Sequence, residues 1–135
     1  MKDYQRTKEN SYLLPQAVYR QALYAVKDLI RLKRKLFYLR EISDDLKVSD
    51  PSEIMMKGGA VSDVTGNIAT EISLTEDRIM AIERAFRKLP EKYREGIIDK
   101  LIYDVPYDEG LHCINTWKKW QQVLIYYVAV NLNLL

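Results

Sequence analysis

The chain has 135 residues, 47% hydrophobic and 30% charged, with a formal net charge of +2 and one cysteine. That size allows one domain, or one domain with an appended helical arm, and the composition excludes wholesale disorder. So small a net charge excludes any argument for nucleic acid from overall charge, and the lone Cys113 excludes an internal disulfide, which points to a reducing compartment.

In chain order, residues 1–13 are polar and expected to be loosely packed. The opening Met1-Lys2-Asp3-Tyr4-Gln5-Arg6 lacks the apolar core of a signal peptide. Pro15 sits where a starting helix tolerates proline, because the missing N–H would have no intrahelical partner. From there Val18, Ala22, Ala25, Leu29, Leu32, Leu36 and Leu39 recur at alternating steps of four and three. That is a heptad-type seam, widened by Val26, Ile30 and Phe37, and it predicts one long helix over residues 16–46. The basic cluster Arg31, Lys33, Arg34 and Lys35 lies mostly off the seam.

Ser49-Asp50-Pro51 ends this pattern and Lys57-Gly58-Gly59 is the clearest breaker, so residues 48–63 read as a flexible linker. A second periodic run follows, Ile68, Ile72, Ile79, Ile82, Phe86 and Leu89, with Thr75 filling one seam position. Ser62 or Asp63 is suited to cap its start. Two such helices can fold into an antiparallel hairpin or pair between chains, and the pattern leaves both open.

Leu89-Pro90 ends the second run and opens a helix from Glu91 to about Tyr103, with Tyr93, Ile97, Ile98, Leu101 and Ile102 on its apolar face. Asp104-Val105-Pro106 breaks it, and Pro106 fits the first turn of a short helix from Tyr107 to about Leu111. Asn115 or Thr116 then serves as N-cap of a final helix to Asn131 or Asn133, with Trp117, Trp120, Leu124 and Val128 inward. Tyr93, Tyr103, Tyr107, Tyr126 and Tyr127 are expected to build a small C-terminal core. No strand alternation is long enough to defend. The expected fold is all-α, two long amphipathic helices followed by a compact C-terminal helix-turn-helix-like module. Its expected parts are an arm over 1–47, the linker over 48–63 and a DNA-binding domain over 64–135.

Charge is unevenly spread. Residues 1–47 hold 11 Lys/Arg against 6 Asp/Glu, residues 48–76 hold 1 against 5, and residues 77–135 hold 9 against 8. Every acid of the last part lies at or before Glu109, so the final helix is purely basic. Lys118 and Lys119 fall in its first turn, where the helix dipole is positive and disfavours cations unless an anion lies alongside. Asn115, Thr116, Lys118, Lys119 and Gln122 carry side chains suited to phosphate and base-edge contacts, and they are the candidate DNA-binding residues. The plain alternative is the polar outer face of a solvated helix.

Trp117 and Trp120, three apart on an apolar stripe, read as core anchors ahead of stacking platforms, with Asp99 or Asp104 as candidate partners for their indole N–H groups. Adjacent His112 and Cys113 are poorly spaced for joint metal ligation, and Gly58-Gly59 lacks the Lys and Ser/Thr of a phosphate loop. No catalytic residue, metal or cofactor is expected, and the chain does not read as an enzyme. The longest uncharged stretch, Gln121 to Leu135, is too short to span a bilayer, so the expected location is cytoplasmic.

Leu89-Pro90-Glu91-Lys92-Tyr93-Arg94 through Leu101-Ile102-Tyr103, then Pro106-Tyr107, Asn115-Thr116-Trp117-Lys118-Lys119-Trp120 and Tyr126-Tyr127-Val128-Ala129, resembles the phage late-gene transcriptional activators of the RinA/ArpU type. Leu13-Leu14-Pro15 with Val18-Tyr19-Arg20, and Ser62-Asp63-Val64-Thr65-Gly66, fit the same layout, so the resemblance covers most of the chain. That family is similar in its C-terminal part to region 4 of sigma-70-type factors, a helix-turn-helix that reads promoter DNA and contacts RNA polymerase. The resemblance implies a supporting helix over residues 107–111 and a recognition helix from Asn115 onward. It implies a regulator, an activator of phage or prophage late genes, with double-stranded DNA and RNA polymerase as partners; a homo-oligomer through the long helices is expected from the heptad-type seam and from the two half-sites that a specific reader of DNA needs. Only ten residues separate Pro106 from Trp117, and Gly110 falls inside the implied supporting helix, where glycine costs about 1 kcal/mol. The alternatives are an RNA polymerase-binding adaptor, and a helical structural or packaging oligomer without sequence-specific DNA binding.

Overall fold

A computed structural model of the chain describes residues 11–48 and 59–135, with side chains over 11–46 and 66–135. The described residues form five helices and no strand: α1 (Gln16–Lys27), α2 (Leu29–Val48), α3 (Gly59–Arg87), α4 (Glu91–Ile102) and α5 (Ile114–Asn131). The fold class is all-α. No helix among the described residues is long and apolar enough to cross a membrane.

The single long helix expected over 16–46 is two. Asp28 adopts φ −88°, ψ 1°, outside the helical well, and the ladder resumes at Leu29. Aspartate is a weak helix former because its carboxylate competes locally for backbone groups. The apolar period is unaffected, since Ala22, Ala25, Leu29, Leu32 and Leu36 are all buried. Residues 49–58 of the expected linker lie outside the described residues. Its end is not a linker, because α3 begins at Gly59 and places Ser62 and Asp63 inside the helix, not at its cap. Glycine costs a helix most in its interior and little at its first residue.

The chain divides into two compact units, one made of the described residues up to Ile30 with Met80–Leu135, the other of Arg31–Ile79. This differs from the expected division into arm, linker and domain. The reason lies in α1, which packs against α4 and α5 and so belongs with the C-terminal residues. Its face Tyr19, Ala22, Leu23 and Val26 is almost fully removed from water.

In the first unit α5 is the central element. Trp117, Val123, Leu124, Ile125, Val128 and Ala129 are buried, and so are Ile82, Ala85, Phe86 and Leu89 of the α3 end and Tyr93, Ile97 and Leu101 of α4. Full burial of one such apolar side chain stabilises by about 1.5–3 kcal/mol. The helix ends are closed by specific groups. The Tyr19 N–H donates to the Pro15 carbonyl (2.9 Å) and the Tyr93 N–H to the Pro90 carbonyl (3.0 Å). The Arg94 guanidinium donates to the carbonyl of Arg87 (3.1 Å), which the end of α3 leaves unpaired, and to that of Leu89 (2.9 Å) just beyond it. Helix α5 ends in a Schellman motif, with Asn133 at φ 57° and the Leu134 N–H returning to the Ala129 carbonyl at 2.9 Å. The Asn131 amide donates to the Ala81 carbonyl at 3.0 Å.

The second unit holds the facing parts of the two long helices. Leu32 and Leu36 are buried in α2, Thr75 and Ile79 in α3. Thr75 satisfies its hydroxyl on the Glu71 carbonyl (2.7 Å). Lys35–Glu71 (3.1 Å) and Arg40–Glu76 (2.9 Å) tie α2 to α3 within one chain. Exposed pairs of this kind contribute about 0–1 kcal/mol, so they fix register more than stability.

Two glycines give opposite expectations for one substitution. A Cβ on Gly96 of α4 would fall inside the Trp117 ring envelope, 2.7 Å from Cζ3, whereas one on Gly66 of α3 meets nothing within 4 Å. Gly96→Ala should lose about 1–3 kcal/mol by overpacking, and Gly66→Ala should gain about 0.5–1 kcal/mol of helix propensity. Urea denaturation of both variants checks this through the sign of the midpoint shift.

Candidate nucleic-acid interface

The candidate surface is built on the start of α5, and its shape follows from how Trp117 is held. The indole N–H donates to the Asp108 carbonyl (3.0 Å), not to the expected Asp99 or Asp104. Tyr107 stacks on the ring at 5.0 Å and 7°. Tyr93 and His112 meet it edge-on at 5.9 and 5.0 Å. An aromatic side chain placed this way combines large buried area with favourable quadrupole geometry.

That packing uses up the residues expected to form a supporting helix. Residues 103–113 contain no helix. Asp104 takes φ 56°, and the Val105 N–H returns to the Asp99 carbonyl at 2.9 Å. Asp108 then makes the turn. Its carboxylate accepts the Gly110 N–H (2.9 Å), and its carbonyl accepts the N–H groups of Leu111 (3.2 Å) and His112 (3.3 Å) as well as the indole. The expected helix over 107–111 is therefore an Asx-type turn wrapped on Trp117. Eleven residues cannot both cover that ring and form a separate helix with its own turn. Tyr103, expected in the core, is exposed in this connector.

Helix α5 begins at Ile114 with Cys113 at the N-cap, so Asn115 and Thr116 lie within its first turn and do not cap it. The Cys113 carbonyl accepts the N–H groups of Thr116 (2.9 Å) and Trp117 (3.2 Å). Of the five candidate residues, Asn115, Lys118 and Lys119 are exposed and Thr116 is half-buried. Gln122 is not on the surface. It is 4% exposed, and its amide donates to the Tyr12 carbonyl at 2.7 Å. The segment around Tyr12 is thus docked on α5, with the Tyr12 ring edge-on to Tyr126 at 5.2 Å, against the expectation of loose packing. Next to Gln122, the buried Gln121 accepts the Tyr107 hydroxyl (2.6 Å) and donates to the Tyr19 hydroxyl (3.3 Å). The polar stripe of α5 is therefore little more than one turn long.

One further cation joins it. Tyr93 stacks with the half-buried Trp120 at 5.3 Å and 22°, Lys119 lies over the Trp120 ring at 5.2 Å, and the exposed Lys92 of α4 lies over Tyr93 at 5.1 Å. Such cation–ring contacts are worth about 0.5–1 kcal/mol at exposed sites. They place Lys92 over one ring and Lys119 over the other ring of the stacked pair. None of Lys92, Lys118 and Lys119 has a carboxylate ion-pair partner among the described residues. Lys92 carries no signal in sequence, because its place beside α5 depends on the tertiary stack. Among the described residues, no group of three or more His, Cys, Asp or Glu side chains could hold a metal ion.

No known protein family, no curated protein and no solved structure matches the chain.

The Tyr107–Gln121–Tyr19 network has a consequence at high pH. Burial, and secondarily the neighbouring Tyr19, raises the Tyr107 pKa well above the ordinary value of about 10. The neutral phenol is thus favoured in the folded state. Stability from this group is complete below pH about 10 and falls above it, as the unfolded chain releases the proton first. Tyr107→Phe should be less stable at pH 7 by about 1 kcal/mol for the lost hydrogen bond, and should fall less steeply between pH 9.5 and 11. Thermal melts across that range, variant against parent, measure the difference in slope.

Proposed function

We propose that this protein is a DNA-binding transcriptional regulator, an activator of phage or prophage late genes of the type its sequence resembles, that seats the start of α5 against the phosphate backbone of double-stranded DNA. The observation that carries the reading is the exposed cations Lys118, Lys119 and Lys92, the last two over the rings of the Tyr93–Trp120 stack and none with a carboxylate partner among the described residues. Lys118 and Lys119, expected in the first turn of α5, are its fifth and sixth residues, so the helix dipole adds little there and a polyanion would be held by the lysine charges themselves.

Recognition helices contact base edges chiefly through their first residues. Asn115 and Thr116 are the side chains at that position, and Gln122 is removed from consideration by its burial. So short a stripe makes phosphate contact the main source of affinity and leaves base readout to few groups. A sequence-specific margin then calls for two copies on two half-sites, brought together by the long helices. The alternative reading, an adaptor on RNA polymerase, draws on Tyr103, Val105 and Leu111, three exposed apolar side chains in the α4–α5 connector. It requires a polymerase complex that forms without DNA.

Binding to a duplex, followed by fluorescence anisotropy against salt, should show log K falling against log salt with a slope of about −3 per copy, one for each lysine. Lys118→Glu with Lys119→Glu should abolish measurable binding while the helical circular dichroism stays unchanged. Lys92→Ala should reduce the slope by about one. Binding that is indifferent to all three substitutions removes this surface from the interface, and polymerase capture in the absence of DNA would favour the adaptor.

A further inference from the structure

Asn115, Lys118, Lys119, Gln122 and Tyr126 follow one another along α5 at steps of three, one, three and four, so they share one face of the helix. That face changes character along its length. Asn115, Lys118 and Lys119 are exposed, whereas Gln122 is 4% exposed and Tyr126 is half-buried. The segment before α1 covers the second half. The Tyr12 carbonyl accepts the Gln122 amide at 2.7 Å, and the Tyr12 ring lies edge-on to Tyr126 at 5.2 Å and tilted against Tyr127 at 6.3 Å. Leu14 is buried next to it, while Ser11 and Leu13 on either side of Tyr12 stay exposed.

Residues 11–15 belong to no helix. A segment without regular structure of its own opens at lower cost than the helices it lies on. A helix seated in the major groove has the walls of the duplex alongside it, and the Tyr12 segment occupies that space from Gln122 onward. Glutamine is also one of the two side chains suited to pair bidentately with adenine N6 and N7, and here its amide is engaged by a backbone carbonyl. We infer that the Tyr12 segment is an autoinhibitory strap over the DNA-binding face of α5, and that a duplex seats fully only when the strap is displaced and Gln122 is released. The inference rests on the reading of α5 as the helix that contacts DNA. With the strap closed, only Asn115, Lys118 and Lys119 of this face are open to a duplex; with the strap displaced, the face continues through Gln122 to Tyr126.

Two measurements on the full chain test this, both with a short DNA duplex of mixed sequence at near-physiological salt. The first is fluorescence anisotropy of the parent and of Tyr12→Ala, which removes the ring from Tyr126 and Tyr127. Minor states of this kind are populated at about 0.1–10%, and apparent affinity scales with the open fraction, so unlatching should tighten binding about tenfold or more. The second is amide hydrogen exchange of the parent, where saturating duplex should speed exchange at residues 11–14. Equal or weaker binding by a folded Tyr12→Ala overturns the strap and leaves DNA contact through the start of α5 standing. Exchange at residues 11–14 that is unchanged or slowed by duplex overturns the strap whatever the variant does, and it decides alone if Tyr12→Ala loses its helical circular dichroism. No binding by either protein overturns both the strap and the DNA reading.

Discussion

The first unit depends on the seating of one indole. Trp117 is 2% exposed, lies so close over Gly96 that no Cβ fits between them, and is enclosed by Tyr107, Tyr93 and His112. Its N–H shares the Asp108 carbonyl with the backbone turn that covers it. A buried donor left unpaired would cost about 1–3 kcal/mol, so the turn and the ring stabilise each other. The approach of α5 to α4 is set by the missing side chain at position 96. Everything between the two helices is then committed to closing over the ring.

This constraint explains the shape of the basic surface. Because residues 107–113 wrap Trp117, they form no helix of their own, and Asn115 in the first turn of α5 is exposed together with Lys118 and Lys119 in the second. Because α1 and the segment around Tyr12 lie along the rest of α5, the polar stripe stops before Gln122. The same packing stacks Trp120 on Tyr93, with Lys119 over the one ring and Lys92 over the other. The cation group is thus a product of the aromatic core beneath it and not of a regular helix-turn-helix.

What could be read from the sequence was what repeats or breaks locally. The seams through Leu29, Leu32 and Leu36 and through Ile79, Ile82 and Phe86 are buried as their period requires. Pro15 and Pro90 mark helix starts to the residue. The break at Asp28 carries neither glycine nor proline, so no pattern signals it. The turn over 107–111 begins with Pro106, a valid helix-start signal that a tertiary contact overrides. Gln121 and Gln122 look like surface residues by type, and their burial follows from partners roughly a hundred positions away, Tyr19 and Tyr12. One cue was present. The chain carries no charged residue after Lys119, as expected of a helix covered on all sides, and α5 is buried continuously from Gln121 to Ile125. Of the five candidate residues, four keep at least part of their surface and one does not, and the difference lies wholly in long-range packing.

The most direct measurement of the central claim is capture of fragments from the genome that encodes this protein, with the purified chain at near-physiological salt and sequencing of what is retained. If the start of α5 binds DNA specifically, one or a few sharp peaks appear and vanish when Lys118 and Lys119 are replaced by glutamate. Even recovery across the genome, identical for parent and variant, would contradict it and leave the start of α5 a structural surface.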